Sequence, residues 1–319
     1  MCNLKRAFFT FSLAFAVLTA SVSTRASAQS TVAAYSVIDA TTGHVLAARD
    51  DGSKLQIGSL TKIATAMVVL DWADATHRDL AQFATVPAQA AALASSNPVG
   101  FQPGDRATLR DLLYAALMQS DDIAALTLAN HVGQTLTRTA EITPEVAFVN
   151  QMNALARRLK MERTLFLNPH GLDNIRGTLP YSTSGDMARL AAYAMVRSGF
   201  RFYVSQKERE IAIERIDNTQ TRYLLRNTND LLGVNSIDGV KTGATPRAGQ
   251  CVIISAARAP ESVQTGETYV ITPRRLIVVV LGSSNRFNVA AGLLNQGWQL
   301  YDQWAAKGRP LKKNEALIL

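Results

Sequence analysis

Ser59-Leu60-Thr61-Lys62 sets a hydroxyl and an amine three residues apart at the head of an apolar run. On a helix, side chains at i and i+3 share one face, so the Lys62 amine can reach the Ser59 hydroxyl and take its proton. The result is an activated nucleophile that needs no histidine. A serine in the first turn also lies beside free backbone N–H groups and the positive end of the helix dipole, which favour an alkoxide and a later oxyanion. A capping serine followed by a solvated lysine has the same spacing, so these four residues leave both readings open. Two further polar clusters follow them, Ser120-Asp121-Asp122 and Lys241-Thr242-Gly243.

The elements around these residues can be read from periodicity. Ile63, Ala64, Ala66, Met67, Val68, Val69 and Leu70 make the helix from Ser59 apolar nearly all round, which predicts a place at a domain centre. Lys62 is then partly desolvated, its pKa falls, and the neutral amine can act as a general base. Helical spacing over residues 109–118 breaks at Ser120-Asp121-Asp122 and resumes over 123–132, ending at Gly133. Further helices are expected over 146–161, 184–195 and 287–304, with a loop at Asn168-Pro169-His170-Gly171. Residues 31–38 and 44–48 read as a hairpin. Strands are expected over 237–242, 250–257 and 275–281, with an irregular excursion over 260–273. Residues 74–105 read as short helices and loops. Strands at both ends with helices between them predict an α+β domain: an antiparallel sheet, flanking helices and a helical insertion.

The chain has 319 residues and a formal charge of +8. Lys5 and Arg6 precede an apolar stretch over 7–20 and small residues at Ala26-Ser27-Ala28, the pattern of a secretory signal peptide over 1–28. Its removal would take Lys5, Arg6 and Arg25, lowering the charge by three to +5. No Lys/Arg block is interleaved with aromatics, so nucleic-acid binding is not expected. Cys251, in an apolar run, has no partner after residue 28 and reads as a small buried hydrophobe. His44, His77, His131 and His170 have no metal-ligand spacing, so neither metal nor cofactor is expected. The division expected is a signal peptide over 1–28, one catalytic domain over 29–306 and a short tail over 307–319 that makes no stable membrane anchor.

A Ser/Lys pair on a helix, a serine corner between helices, and Lys-Thr-Gly on an edge strand together form a known motif set. With Gly104-Asp105, Asn168-Pro169-His170-Gly171-Leu172, Ser182-Thr183, Asn227-Thr228-Asn229 and Ala248-Gly249, the chain resembles low-molecular-mass penicillin-binding proteins of the serine D-alanyl-D-alanine carboxypeptidase/endopeptidase family. The resemblance implies the serine β-lactamase/D,D-peptidase fold and an exported enzyme of the periplasm or cell envelope. It would act on peptidoglycan peptide stems and take β-lactams as covalent inhibitors. By the same resemblance Ser59 is the nucleophile, Lys62 its base, and Ser120 relays a proton to the leaving group. Lys241 and Thr242 meet the substrate carboxylate, Arg286 assists, and the N–H groups of Ser59 and Ala244 form the oxyanion hole.

The second motif departs from the family pattern, which has asparagine where this chain has Asp122. An ionised Asp122 accepts hydrogen bonds only, so it forfeits an amide bond to substrate and is expected to hold Lys62 as an ammonium. Two other readings stay open: a catalytically weakened peptidoglycan-binding or regulatory module on this scaffold, and a serine β-lactamase. The latter would need an E-x-x-x-N loop, and only Glu214 and Asn218 have that spacing.

Overall fold

The structure is a computed structural model that describes residues 31–93, 95–137, 141–173 and 177–311. The expected signal peptide and residues 312–319 of the expected tail lie outside the described residues. Within them, no helix is long and apolar enough to cross a membrane.

One five-stranded antiparallel sheet organises the molecule. Its strands are β1 (Ala34–Asp39), β2 (Val45–Arg49), β7 (Ile237–Thr245), β8 (Gly249–Thr265) and β9 (Thr268–Ser283), in the order β2-β1-β9-β8-β7. The first hairpin and the last three strands thus share a sheet, as expected. Alternation sorts their side chains. Val252 and Ile254 on β8, with Val278 and Val280 on β9, pack against α7 (Arg286–Ala306) through Leu294, Trp298 and Tyr301. Cys251, Ile253, Ile277 and Val279 face the other way. Cys251 is fully buried.

That second face meets the helices. α1 (Lys62–Thr76) runs through the centre and is buried from Lys62 to Leu70 without a break. Around it lie α2 (Leu109–Met118), α3 (Asp122–Leu136), α4 (Pro144–Arg158), α5 (Ser184–Val196) and the short α6 (Ser198–Val204). A second antiparallel sheet, β3-β4-β5-β6, is built from Phe83–Thr85, Arg106–Thr108, Glu208–Glu214 and Gln220–Arg226.

Four expectations need correction. The helix at Ser59 opens as a 3-10 turn, Gly58–Thr61, and becomes α-helical only at Lys62. The excursion over 260–273 is no loop: β8 and β9 stay paired out to Thr265↔Thr268, a two-stranded ribbon that leaves the sheet. The exposed side chains of Val263, Val270 and Ile271 carry β-propensity without a core to bury them, so periodicity did not reveal the strand. α3 runs past Gly133 to Leu136. Gly133 serves packing there, because a Cβ on it would lie 1.9 Å from the Pro144 carbonyl oxygen. Finally, residues 74–105 include β3, too short for period-two alternation to register.

Candidate active site

Three structural seams meet at the head of α1. The first is the turn that carries Ser59. Gly58 takes φ +53, a left-handed value that glycine adopts without Cβ strain, and Ser59 then leads into Lys62 at the buried start of α1. Lys62 Nζ donates to Ser59 Oγ at 2.9 Å, to Asp122 Oδ1 at 2.5 Å and to the His170 carbonyl oxygen at 2.9 Å. Neither Gly58–Thr61 nor α1 has a side-chain N-cap. Ser59 is therefore not a capping serine, and Lys62, with no exposed surface, is not a solvated lysine.

The second seam is the corner between α2 and α3. Ser120 has φ +65, which turns the chain between the helices, and its Oγ accepts from Lys241 Nζ at 2.9 Å. Asp121 is the N-cap of α3: its Oδ1 accepts from Ala124 N at 2.8 Å and its Oδ2 from Val99 N at 3.2 Å. Asp121 is thus committed to backbone donors and does not substitute for Asp122 beside Lys62. Burial raises the Asp121 carboxyl to about 6.

The third seam is β7, the edge strand of the large sheet. Lys241 is buried and donates to its neighbour's carbonyl, Thr242 O, at 2.8 Å. The Thr242 hydroxyl lies 2.6 Å from that of Thr228. Arg286, at the start of α7, donates through Nη1 to Gly243 O at 3.1 Å, while its buried Nε has no partner among the described residues.

Close approach of β7 to the serine turn explains Gly243. A Cβ there would lie 2.8 Å from Ile57 O and 3.2 Å from Ser59 N, and one on Gly58 would lie 3.4 Å from Ala244 N. The backbone of Ser59 and that of Ala244 are brought side by side because two glycines leave out their side chains. Gly243→Ala must push strand and turn apart. Acylation by a β-lactam is expected to slow about tenfold, part of the ~10²–10³ lost with a whole oxyanion donor. A stopped-flow rate equal to wild type would mean that this spacing does not govern the reaction.

Burial is the largest influence on both lysines. It pushes Lys62 below its ordinary value, with Asp122 opposing, and it pushes Lys241 well below, with Lys62 adding to the effect. Asp122 acts in the direction expected, favouring the Lys62 ammonium, while burial acts the other way and is the larger influence. His170, also buried, is lowered to about 4 and is neutral at physiological pH.

Sequence reasoning brought together Ser59, Lys62, Ser120, Asp122, Lys241, Thr242, Ala244 and Arg286, and the fold links all eight where the serine turn, the α2–α3 corner and β7 meet. It did not foresee what His170, Thr228 and Ser96 do. His170 contributes a carbonyl held by a loop in which Asn168 Oδ1 accepts from His170 N and Gly171 N. Thr228 contributes a hydroxyl to Thr242, and Ser96 a backbone N–H to Asp122 Oδ2. A main-chain group has no signature in residue type. Glu214 and Asn218 lie elsewhere, in the β5–β6 hairpin, where Glu214 is ion-paired with Arg106.

The chain is similar to several known proteins in sequence and in fold. The profile of a family described as D-alanyl-D-alanine carboxypeptidase matches residues 20–284. A D-alanyl-D-alanine carboxypeptidase of Escherichia coli is 30% identical over 277 residues, covering 84% of this chain and 62% of that relative. The chain thus spans less than two thirds of that relative's length. The crystal structure of a Streptomyces DD-transpeptidase superposes with a TM-score of 0.70 at 27% identity, covering 84% of this chain and 98% of that one. A penicillin-binding protein of Listeria monocytogenes in its ampicillin-bound form gives a TM-score of 0.64 at 25% identity, covering 84% and 97%.

Proposed function

Because the chain belongs to the D-alanyl-D-alanine carboxypeptidase family, we propose that it is a serine D,D-peptidase that cleaves the terminal D-Ala-D-Ala type bond of peptidoglycan stem peptides. The observation that carries this reading is the buried Lys62 amine, 2.9 Å from a half-exposed Ser59 hydroxyl. With Lys62 neutral, the Ser59 proton moves to its Nζ as Oγ attacks the carbonyl carbon. The N–H groups of Ser59 and Ala244 receive the developing oxyanion. The C–N bond then breaks, and the leaving amine takes a proton through Ser120, which Lys241 holds in place. Water next hydrolyses the ester and returns Ser59.

The substrate's terminal carboxylate would meet the β7 side of the site. Arg286 supplies positive charge there, Lys241 N–H donors and Thr242 a hydroxyl, a combination suited to charge-assisted hydrogen bonding. A β-lactam offers the same carboxylate and a strained amide, so it would acylate Ser59 and be retained. The proposed setting is the cell envelope, reached by export with removal of residues 1–28.

A stem pentapeptide ending in D-Ala-D-Ala and a cross-linked dimer, each incubated with the purified protein, test the reaction. Release of free D-alanine from the first marks carboxypeptidase action, and conversion of the dimer to monomers marks endopeptidase action. Neither product, with stem peptides bound intact, would favour a binding module on this scaffold.

A further inference from the structure

The inference concerns Asp122 and rests on the acyl-enzyme reading of the site. Asp122 is 1% exposed and both of its oxygens are engaged: Oδ1 with Lys62 Nζ at 2.5 Å, Oδ2 with the backbone N–H of Ser96 at 2.9 Å. The Asp122 N–H in turn donates to Ser96 O at 2.9 Å. Two donors therefore converge on two oxygens, and a carboxylate accepts from both. An asparagine could not. With its oxygen toward the Lys62 ammonium, its NH₂ would meet the Ser96 N–H, donor against donor. The chain beside the site is built to match a carboxylate, which is not what random loss of an asparagine would leave behind.

We propose that Asp122 is a positioning residue of the acylation machinery, whose carboxylate aims Lys62 at Ser59 and moves the onset of acylation to a more alkaline pH than a neutral side chain would give. The sign follows from the charges facing Lys62. From α3 come Asp122 and, farther off, Asp121, both favouring the ammonium. From β7 comes Lys241, whose charge and that of Lys62 oppose one another, with Arg286 acting on Lys241. From the loop after α4 comes the His170 imidazole, neutral at these pH values. Asp122 is the charge in direct contact, so removing it lowers the pH at which Lys62 loses its proton. The fixed orientation has a second effect: with Oδ1 and Oδ2 both committed, residue 122 presents no donor to a substrate amide.

The test is the pH profile of acylation by a fluorescent penicillin, measured on wild type, Asp122→Asn and Asp122→Ala, with a thermal melt of each. In the wild type the rate should rise between neutrality and the ordinary lysine range. Asp122→Asn should move that rising limb down by at least about one pH unit, and so raise the neutral-pH rate about tenfold. Asp122→Ala should move the limb the same way, with a lower plateau because Lys62 loses its guide. A purely structural carboxylate would change plateau height and leave the limb in place in both variants, and that outcome overturns the proposal. So does a wild-type limb complete by pH 6, a reading that needs no variant to fold. Absence of acylation in every form at every pH would overturn the acyl-enzyme reading itself, and this inference with it.

Discussion

Protein carrying Ser59→Ala should form no covalent adduct with penicillin, where the wild type gains the full mass of the opened drug on the peptide containing Ser59. The expected loss is complete because the nucleophile itself is gone, and among the described residues the other serine hydroxyl bonded to a buried lysine, that of Ser120, lies at the corner between α2 and α3 and not beside the Ser59 and Ala244 N–H groups. The fold should survive: Ser59 Oγ accepts one bond from Lys62 and caps no helix, so the melting temperature should stay within a few degrees of wild type. Intact-protein mass spectrometry with peptide mapping reads the result. An adduct on any other residue, or one that persists in the variant, would place the chemistry elsewhere.

Lys62→Ala should lower the acylation rate by at least ~10²-fold, the usual scale for losing a general base. Raising the pH should not rescue it. This variant also has a structural cost, because it leaves Asp122 as a buried carboxylate without its partner, and removing one member of a buried ion pair costs about 3–5 kcal/mol. The two effects can be separated. The double variant Lys62→Ala with Asp122→Asn removes the stranded charge and should recover much of the lost stability, yet remain as slow to acylate as the single variant. Chemical denaturation and stopped-flow acylation on the three proteins decide the matter. A double variant that regains both stability and rate would mean that Lys62 acts through folding and that another group takes the Ser59 proton.

The chemistry was legible because it is carried by side chains with distinctive types at short or recurrent spacings. Ser59 and Lys62 are three residues apart, and the apolar run from Ile63 to Leu70 announces a central helix. What escaped was contributed by the main chain or by tertiary proximity. The Ser96 N–H that fixes Asp122 could not be guessed from a serine in a loop, and Gly133 reads as a helix stop until Pro144 is seen pressed against it. The downward shift of Lys62 was foreseen from the apolar run that follows it, whereas its balance against Asp122 was not. Sequence reveals the neighbouring charge but not how completely the pair is withdrawn from water, and here withdrawal prevails. The β8–β9 ribbon was missed because its side chains face solvent on both sides, so no burial pattern marks it as strand.

The position of β7 at the end of its sheet bears on how such a site reads a ligand. An edge strand keeps alternate carbonyl and amide groups free of strand pairing, and on β7 two carbonyls, Thr242 O and Gly243 O, meet the Lys241 and Arg286 side chains instead. On the proposed function, an extended peptide that added to this edge as a sixth strand would be held through its own backbone. Recognition of that kind would be indifferent to most side chains but strict about geometry, since inverting an α-carbon turns its substituent to the opposite face of the added strand. Stereochemical selectivity would then reside in the path of the protein's main chain, where substitution of surface residues cannot easily erase it.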